Sequence, residues 1–421
     1  MPFSTLCKVQ NKENTVSQNS APVDAPLSVP PHVPEALVYD YDFVFDRELN
    51  ENPHQRLRDL HSVAPQLFYS PRYGGHWVVL SREYHKEITL NYEDFSSANL
   101  MLPPGDSVPL LIPATFDPPE HTAYRLPVNK LFSAPSVKEY EPSIRDLAVR
   151  LIDNVARQGH CDFLFDVVEP FPPSIIFKIV GMPLDDLREF RQLAQTFMSS
   201  SSAEERSGAY NAIGDILTPV VNARMAEPQD DLLSVLARAD FGGRRLTMEE
   251  ILNYAVLLFI GGLDTVVNAM CFTTRHLAED PALQNDLRAH PEKIPEVMEE
   301  FLRLYPVATP MRTATRDLDF HGIRIRKGDQ FLCLLGAINT DPDFYEQPES
   351  VCPHRREHHV AFNTGHHRCL GANLGRLELR IFFEEWLKRI PEFRLDPDHP
   401  PRFSGGYSIS VESLPLVWDP A

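Results

Sequence analysis

The sequence has too few basic residues for a protein whose partner is a polyanion. It contains 40 Lys and Arg against 59 Asp and Glu, which gives a formal net charge of −19. Nucleic-acid-binding proteins and membrane-surface proteins both need a basic face. We therefore expect neither a nucleic acid nor a membrane as a partner.

Long apolar runs are also missing. No stretch reaches the roughly 18 apolar residues of a transmembrane helix, and the longest candidate is Ala255–Leu263. The segment Met1–Glu13 has no apolar stretch of signal-peptide length. From these two absences we expect no membrane span and no secretory leader.

Paired cysteines are absent as well. The six cysteines are scattered without a Cys-x-x-Cys pair, which in a chain of this length is typical of reduced thiols in a cytosol rather than a disulfide framework. We therefore predict a cytoplasmic protein. Proline is abundant instead: 38 of 421 residues, against a typical share of about 5 %, which argues against repeat arrays and coiled coils.

Two parts of the chain can be separated by pattern. Residues 1–34 have no periodicity and are predicted to be a flexible N-terminal tail. Residues 35–421 show helical periodicity broken by turns, with short strands near residues 66–80 and 313–335. They are predicted to form one large domain that is mainly α with small β-sheets.

The most distinctive predicted helix begins at Thr247. Thr247 and Glu250 fit a capping box, in which each residue bonds the backbone N–H of the other. The helical pattern continues to about Asp280, so the helix runs through the centre of the domain. Gly261 and Gly262 lie in its middle, where each glycine lowers helix stability by about 1 kcal/mol relative to alanine. Their presence is explained either by a close crossing with another helix or by a function.

A second distinctive segment runs from Phe362 to Gly371. Cys369 ends a glycine-containing loop at the start of a helix, where free N–H groups and the helix dipole stabilise a thiolate. A buried structural cysteine and a zinc site remain alternatives. The zinc hypothesis is based on a cluster of potential ligands, which lack the spacing of a zinc finger or ribbon. They are Cys352, His354, His358, His359, His366, His367 and Cys369.

The pattern Phe-x-x-Gly-x-His-x-Cys-x-Gly of this segment resembles the haem-binding loop of the cytochrome P450 family. Its five fixed positions match by chance in about one chain of this length in ten thousand. The resemblance implies the cytochrome P450 fold, with haem b buried between the long helix and the loop, and it makes Cys369 the thiolate ligand of the haem iron. Phe362 and Gly371 would then flank the cofactor. A thiolate ligand favours O–O cleavage.

Two further motifs support the resemblance. Glu300 and Arg303 match the family's Glu-x-x-Arg, and Arg355 falls where the third member of that buried network is found. Asp264 and Thr265 match the family's acid–threonine pair. By that match Asp264 would bring protons in from solvent, while Thr265, bonded back to a carbonyl of its own helix, would open a groove for dioxygen.

The haem propionates need basic partners, since Arg pairs bidentately with a carboxylate. By position in the family these partners would be Arg125, Arg312 and His367, with His121 as a possible fourth donor.

The resemblance extends over nearly the whole chain to soluble, camphor-hydroxylating bacterial members of the family, from Pro30–Pro34 to Leu414–Pro420. It implies a monooxygenase that uses O2 and receives electrons from a [2Fe–2S] ferredoxin and an NADH-dependent reductase. Pro109 stands where those members place a ketone-binding tyrosine, so we expect a small cyclic monoterpenoid that is cineole-like, or camphor-like in another orientation. The predicted pocket walls are mostly apolar: Met101, Leu111, Ala114, Leu257, Ile260, Gly261, Ala308, Tyr407 and Ser408.

Other functional classes fit parts of the same pattern. A haem-thiolate peroxygenase or isomerase would need no electron partner and no Asp264–Thr265 relay, and a haem or zinc sensor would need no chemistry. An acidic ferredoxin requires a local basic patch near Cys369, against the sign of the whole molecule. The residues expected to supply it are Arg72, Arg125, Lys130, Arg355, Arg356 and Arg368.

Overall fold

The computed structural model describes residues 27–102, 110–182, 187–200 and 202–420. Most of the predicted tail and Pro109 lie outside these residues. The end of the tail does not match its prediction, because His32 and Val33 pack on the domain. The Nε2 atom of His32 lies 2.9 Å from the carboxylate of Asp329, and Val33 is buried.

Helices dominate the described chain, as predicted. In chain order they are α1 (Arg47–Glu51), α2 (Pro53–Val63), α3 (Arg82–Leu90), α4 (Glu120–Asn129), α5 (Ala134–Lys138), α6 (Glu141–Val155), α7 (Phe171–Val180), α8 (Leu187–Ser199), α9 (Ala203–Ala226), α10 (Leu232–Arg238), α11 (Met248–Leu263), α12 (Thr265–Glu279), α13 (Pro281–Ala289), α14 (Ile294–Leu304), α15 (Leu335–Ile338) and α16 (Ala372–Arg389).

The strands are short and form small sheets at the edge of the helical body. They are β1 (Leu67–Ser70), β2 (His76–Val79), β3 (Phe95–Ser96), β4 (His160–Asp162), β5 (Met311–Ala314), β6 (Leu318–Phe320), β7 (Ile323–Ile325), β8 (Gln330–Cys333), β9 (Phe393–Leu395), β10 (Arg402–Ser404), β11 (Ser410–Ser413) and β12 (Pro415–Trp418). A five-stranded sheet has the order β1-β2-β8-β5-β3, with β2 and β8 parallel. The strands β4, β12 and β9 form a second sheet, and β6–β7 and β10–β11 are two-stranded.

The hydrophobic core has two parts. The larger part lies among the helices and includes both halves of the predicted long helix, and the smaller part covers the five-stranded sheet around Trp77 and Phe331. Arg312 lies on β5 of this sheet, at the edge of the helical core.

The predicted long helix is present, but it breaks at one residue. Its capping box forms as expected: Glu250 N–H donates to Thr247 Oγ1 at 3.2 Å, and Thr247 N–H donates to Glu250 Oε2 at 2.7 Å. Asp264, with φ −114°, separates α11 from α12. The prediction of one continuous helix was therefore wrong at the position of the acid–threonine pair.

This pair of helices is also the one segment of the described chain with the length and composition of a membrane span. Met248–Glu279 has a window of mean hydropathy 1.9, of which 61 % is buried inside the protein. The apolar character is explained by the position of the helices in the core.

Candidate active site

An internal cavity of about 480 Å³ is lined by α11 and α12 and by the loop that carries Cys369. Its wall brings together residues from α4, the α11–α12 junction, β5 and the start of α16, which are far apart in the sequence. Phe362, Cys369 and Gly371 all belong to this wall. The loop and the long helix therefore face the same space, as the family resemblance predicted.

The backbone holds Cys369 just before the N-terminus of α16. Cys369 N–H donates to the carbonyl of Phe362 at 2.8 Å, which closes the loop into a ring. The guanidinium of Arg376 stacks on the Phe362 ring, 4.6 Å from its centroid, and pairs with Glu299. Burial raises the pKa of the Cys369 thiol, and the N–H of Gly371 opposes that rise. A metal ion would remove the proton outright.

The predicted ion-pair network lies behind this loop. Arg303 donates to both carboxylate oxygens of Glu300 at 2.8 and 2.9 Å, and Arg355 Nε approaches the same oxygens at 3.2 and 3.1 Å. Cys352 N–H adds a third donor at 2.8 Å. Burial alone would raise the pKa of Glu300, but these donors hold it below its ordinary value. The backbone of Cys352 therefore takes part in the network directly.

Basic nitrogens without partners gather at one end of the cavity. Arg312 is 3 % exposed and its Nη2 atom has no hydrogen-bond partner. The same is true of His367 Nε2 and of both ring nitrogens of His121. Burial together with nearby arginines lowers the pKa of His367 to about 2 and that of His121 to about 4. Arg125 also lines this end, where one of its amino groups donates to the carbonyl of Arg368 at 2.6 Å.

This arrangement fits an iron porphyrin. Unpaired buried N–H groups are costly, and two carboxylates beside Arg125, Arg312, His121 and His367 would satisfy them. The thiol of Cys369 opens on the same cavity, where it can ligate iron. The predicted cofactor-binding residues thus converge on one space, although they come from separate elements.

The two glycines of α11 differ in their surroundings. A Cβ on Gly262 would lie 2.9 Å from Ile176 on α7, so close helix packing explains this glycine. A Cβ on Gly261 would meet nothing within 4 Å, and Gly261 lines the cavity. Thr265 Oγ1 donates to the Gly261 carbonyl at 3.0 Å, the predicted back-bond at the helix break.

Asp264 is more enclosed than the sequence suggested. It is only 6 % exposed. Its carboxylate pairs with Arg191 at 3.1 Å and accepts hydrogen bonds from Asn268 at 2.5 Å and from Ser410 at 3.1 Å. These three partners enclose the Asp264 carboxylate.

Most of the predicted pocket residues line the cavity, and one does not. The residues found in the wall are Met101, Leu111, Ala114, Leu257, Ile260, Gly261, Ala308 and Tyr407. Ser408 was predicted wrongly, because its hydroxyl points to Asp264 at 3.4 Å behind the wall. Adjacent residues of this extended segment, Tyr407 and Ser408, face opposite sides.

Several residues of the site were missed from the sequence. Asn268 stands four residues after Asp264, a spacing that places both on one helix face, and this signal was available. Arg191 is 73 positions away from Asp264, and nothing in the sequence indicated it. The hydroxyl of Tyr254 and Oε1 of Glu378 are buried in the cavity wall without partners, and burial keeps the pKa of Glu378 well above its ordinary value.

The zinc alternative finds no support in the described chain, where no three His, Cys, Asp or Glu side chains are placed to hold a metal ion. The predicted basic patch also needs correction. The Arg355 side chain is only 5 % exposed because it is used in the Glu300 network, and Arg72 pairs with Asp40 and Asp42. Lys130, Arg356 and Arg368 are exposed.

The fold, the cysteine that opens on the cavity and the unpartnered basic side chains at one cavity end are features of the haem-thiolate class of proteins. The family model described as "Cytochrome P450" matches residues 187–411, and the chain belongs to the cytochrome P450 family. It is 32 % identical over 405 residues to a probable cytochrome P450 127A1 of Sinorhizobium fredii, which covers 93 % of this chain and 97 % of the relative. As a member of the family it is a monooxygenase that uses haem b.

Other known proteins agree with this assignment. A steroid C26-monooxygenase of Mycobacterium tuberculosis is 33 % identical, with 78 % of this chain and 91 % of the relative covered. The crystal structure of cytochrome P450 CYP101C1 superposes with a TM-score of 0.85 at 34 % identity, covering 93 % of this chain and all of that one. The CYP101J2 structure gives 0.84 at 33 % identity and covers 93 % and 99 %.

Proposed function

We propose that this monooxygenase hydroxylates a small cyclic monoterpenoid of cineole-like or camphor-like shape. The observation that carries the proposal is the chemistry of the cavity wall around Gly261, where Leu257, Ile260 and Ala308 present aliphatic surface. A compact hydrocarbon skeleton buries well against such a wall. Camphor is the weaker candidate because Pro109 stands where camphor-hydroxylating members have their ketone donor.

The names of the relatives do not decide the substrate, since one is a steroid C26-monooxygenase and another a nocardicin C N-oxygenase. A titration of the ferric protein with 1,8-cineole, camphor and a sterol, followed by the spin-state change of the Soret band, tests the proposal directly. We expect cineole to give the most complete shift at the lowest concentration. A tighter response to camphor would contradict the argument from Pro109, and a response to the sterol alone would overturn the terpenoid class.

In this proposal, Thr265 and Asp264 handle the protons. Bound haem b with its Cys369 ligand supplies the activation of O2. Thr265 donates its hydroxyl proton to the Gly261 carbonyl, which leaves the hydroxyl oxygen free to accept a hydrogen bond at the groove. Asp264 is placed to supply a proton there. Arg191 pairs with both Asp264 and Glu169 and sets the charge around Asp264, and Glu169 also lies 3.4 Å from the 66 %-exposed Arg188.

We also propose that the electrons come from a [2Fe–2S] ferredoxin with an NADH-dependent reductase, in the cytoplasm. Lys130, Arg356 and Arg368 are exposed basic residues that would complement an acidic partner. Arg368 directly precedes Cys369, and the turn Lys130–Phe132 packs against α16. Purified ferredoxin and reductase should support NADH consumption coupled to product formation. If hydrogen peroxide alone supports turnover and ferredoxin adds nothing, the protein is a peroxygenase instead.

The state of the cysteine ligand is a separate measurement. The reduced protein under carbon monoxide should show the red-shifted Soret band of thiolate ligation, and Cys369→Ala should abolish it. An imidazole-type band in the unmodified protein would remove the basis of every step proposed above.

A further inference from the structure

The cysteine loop contains a residue in a conformation that normally requires glycine. Asn363 has φ +58°, in the left-handed region, and it follows Phe362 directly. Gly365, two residues later, has φ +68°. Asparagine tolerates this region better than most residues because its short amide can bond locally, but glycine enters it without steric cost. Some contact must therefore hold Asn363 in place.

That contact comes from a buried histidine on α3. His85 is fully buried, and its Nε2 atom lies 3.2 Å from Asn363 Oδ1. The same oxygen accepts the N–H of Thr364 at 2.8 Å, which identifies it as the amide oxygen rather than the nitrogen. His85 must therefore donate from Nε2. Burial, with Arg82 and Arg312 nearby, lowers the pKa of His85 to about 3, so the ring is a neutral donor at physiological pH.

The next turn of α3 touches the next residues of the loop. Thr89, four positions after His85 and on the same helix face, shares a 2.6 Å hydrogen bond with the Thr364 hydroxyl. A Cβ on Gly365 would lie 2.7 Å from the Thr89 carbonyl. The turn from Asn363 to Gly365 therefore rests directly on one face of α3, and its nearest end, Gly365, lies four positions before Cys369.

We propose that His85 is a positioning residue for the Cys369 ligand loop, because its hydrogen bond holds Asn363 in the left-handed conformation that the loop requires. Val360 accepts the Asn363 N–H at 2.7 Å, and Phe362 accepts the Cys369 N–H at 2.8 Å. A rotation of Asn363 out of its conformation would disturb both bonds, and with them the place of the cysteine sulfur. The proposal needs the family's haem site and is independent of the proposed substrate.

The test uses the haem-loaded, full-length protein and measures the rate at which the thiolate-type carbon monoxide band of the reduced form decays. His85→Leu removes the donor, and loss of one buried hydrogen bond should speed the decay about fivefold. Asn363→Gly should behave as the unmodified protein does, because glycine needs no partner at this φ. In the double variant His85→Leu/Asn363→Gly, the glycine adopts this φ without the histidine donor. Its decay rate should therefore lie within about twofold of that of Asn363→Gly alone.

Two outcomes would overturn the proposal. Either His85→Leu leaves the decay unchanged, or the double variant decays as fast as His85→Leu alone, which would make His85 a packing residue only. If His85→Leu yields no haem-loaded protein, the double variant must restore the yield, and failure to do so also overturns it. His76→Leu, at another buried histidine that bonds the Arg72 carbonyl on the β1–β2 hairpin, is the matched control, and Asn363→Gly should not correct its effect.

Discussion

Arg191 and Asp264 form an ion pair inside the protein, with 3.1 Å between Nη2 and Oδ1 and side chains only 4 % and 8 % exposed. Arg191 also pairs with Glu169 at 3.4 Å. One guanidinium therefore pairs with two enclosed carboxylates, and it links the break between α11 and α12 to α8.

Replacing Arg191 with Met should lower the free energy of unfolding by about 3 kcal/mol, because it leaves buried carboxylates without their cation. Denaturant unfolding of the haem-loaded protein measures this. Arg188→Met is the matched control: Arg188 contacts the same Glu169 but is 66 % exposed, so we expect a change below about 1 kcal/mol. Equal losses in the two variants would contradict the importance we give to burial.

Replacing Thr265 with Ala should uncouple electron use from product formation. NADH consumption should continue while the product formed per NADH falls about tenfold and hydrogen peroxide rises, because the hydroxyl that takes part in proton delivery at the groove is lost. Substrate-induced spin change should persist. Thr273→Ala, a buried threonine of α12, should leave the coupling unchanged, and a similar loss there would show that the effect is not local to the groove.

Alanine at Gly261 and at Gly262, which both line the cavity, should affect stability differently. Gly262→Ala places a methyl group 2.9 Å from Ile176, so we expect a loss of about 1–3 kcal/mol in unfolding free energy. Gly261→Ala meets no atom within 4 Å and should keep the stability while it changes ligand affinity by occupying cavity space. Thermal unfolding and the spin-state titration separate the two effects, and a reversed pattern would show that the helix packing is misassigned.

Substitution of Arg355 and of its neighbour Arg356 should change stability by very different amounts. Arg355→Met breaks the enclosed pairing with Glu300 and should cost about 3 kcal/mol, with a matching loss in haem retention. Arg356 is exposed, so Arg356→Met should change stability by less than about 0.5 kcal/mol. Haem content after purification and urea unfolding provide the comparison. Retention of haem by Arg355→Met would argue against a supporting role for the network.

The capping box of α11 should make stability depend on acid pH. Arg244 and the N–H of Thr247 lower the pKa of Glu250 from 4.5 to about 2 in the folded protein. A depressed folded pKa gives stability that is fully present above pH 4.5 and declines as the pH falls toward 2. Glu250→Gln should therefore cost about 1 kcal/mol at pH 7 after allowance for the half-exposed Arg244. That difference should shrink at pH 4, and a constant difference would exclude the carboxylate as its source.

The sequence indicated the parts of the site that are local in the chain. The capping box at Thr247, the cysteine loop, the Glu300–Arg303 spacing and the back-bond of Thr265 each depend on residues within a few positions of one another, and local geometry follows from local sequence. The family resemblance also indicated Arg125, Arg312 and His121. Their spacing in the sequence alone could not show that they meet at the same end of the cavity.

Only the tertiary structure decided which side chains face each other across separate elements. In the folded protein Asp264 is enclosed beside Arg191, and Ser408 points away from the cavity. Arg355 is buried in the Glu300 network rather than exposed on the surface, and His85 contacts Asn363. Each of these depends on how helices and strands far apart in sequence pack to bury apolar area and to satisfy buried polar atoms. The chain by itself determined its mainly helical fold and indicated Cys369 as the candidate haem ligand, whereas the packing of distant elements determined the electrostatic surroundings of Cys369 and of the Asp264–Thr265 pair.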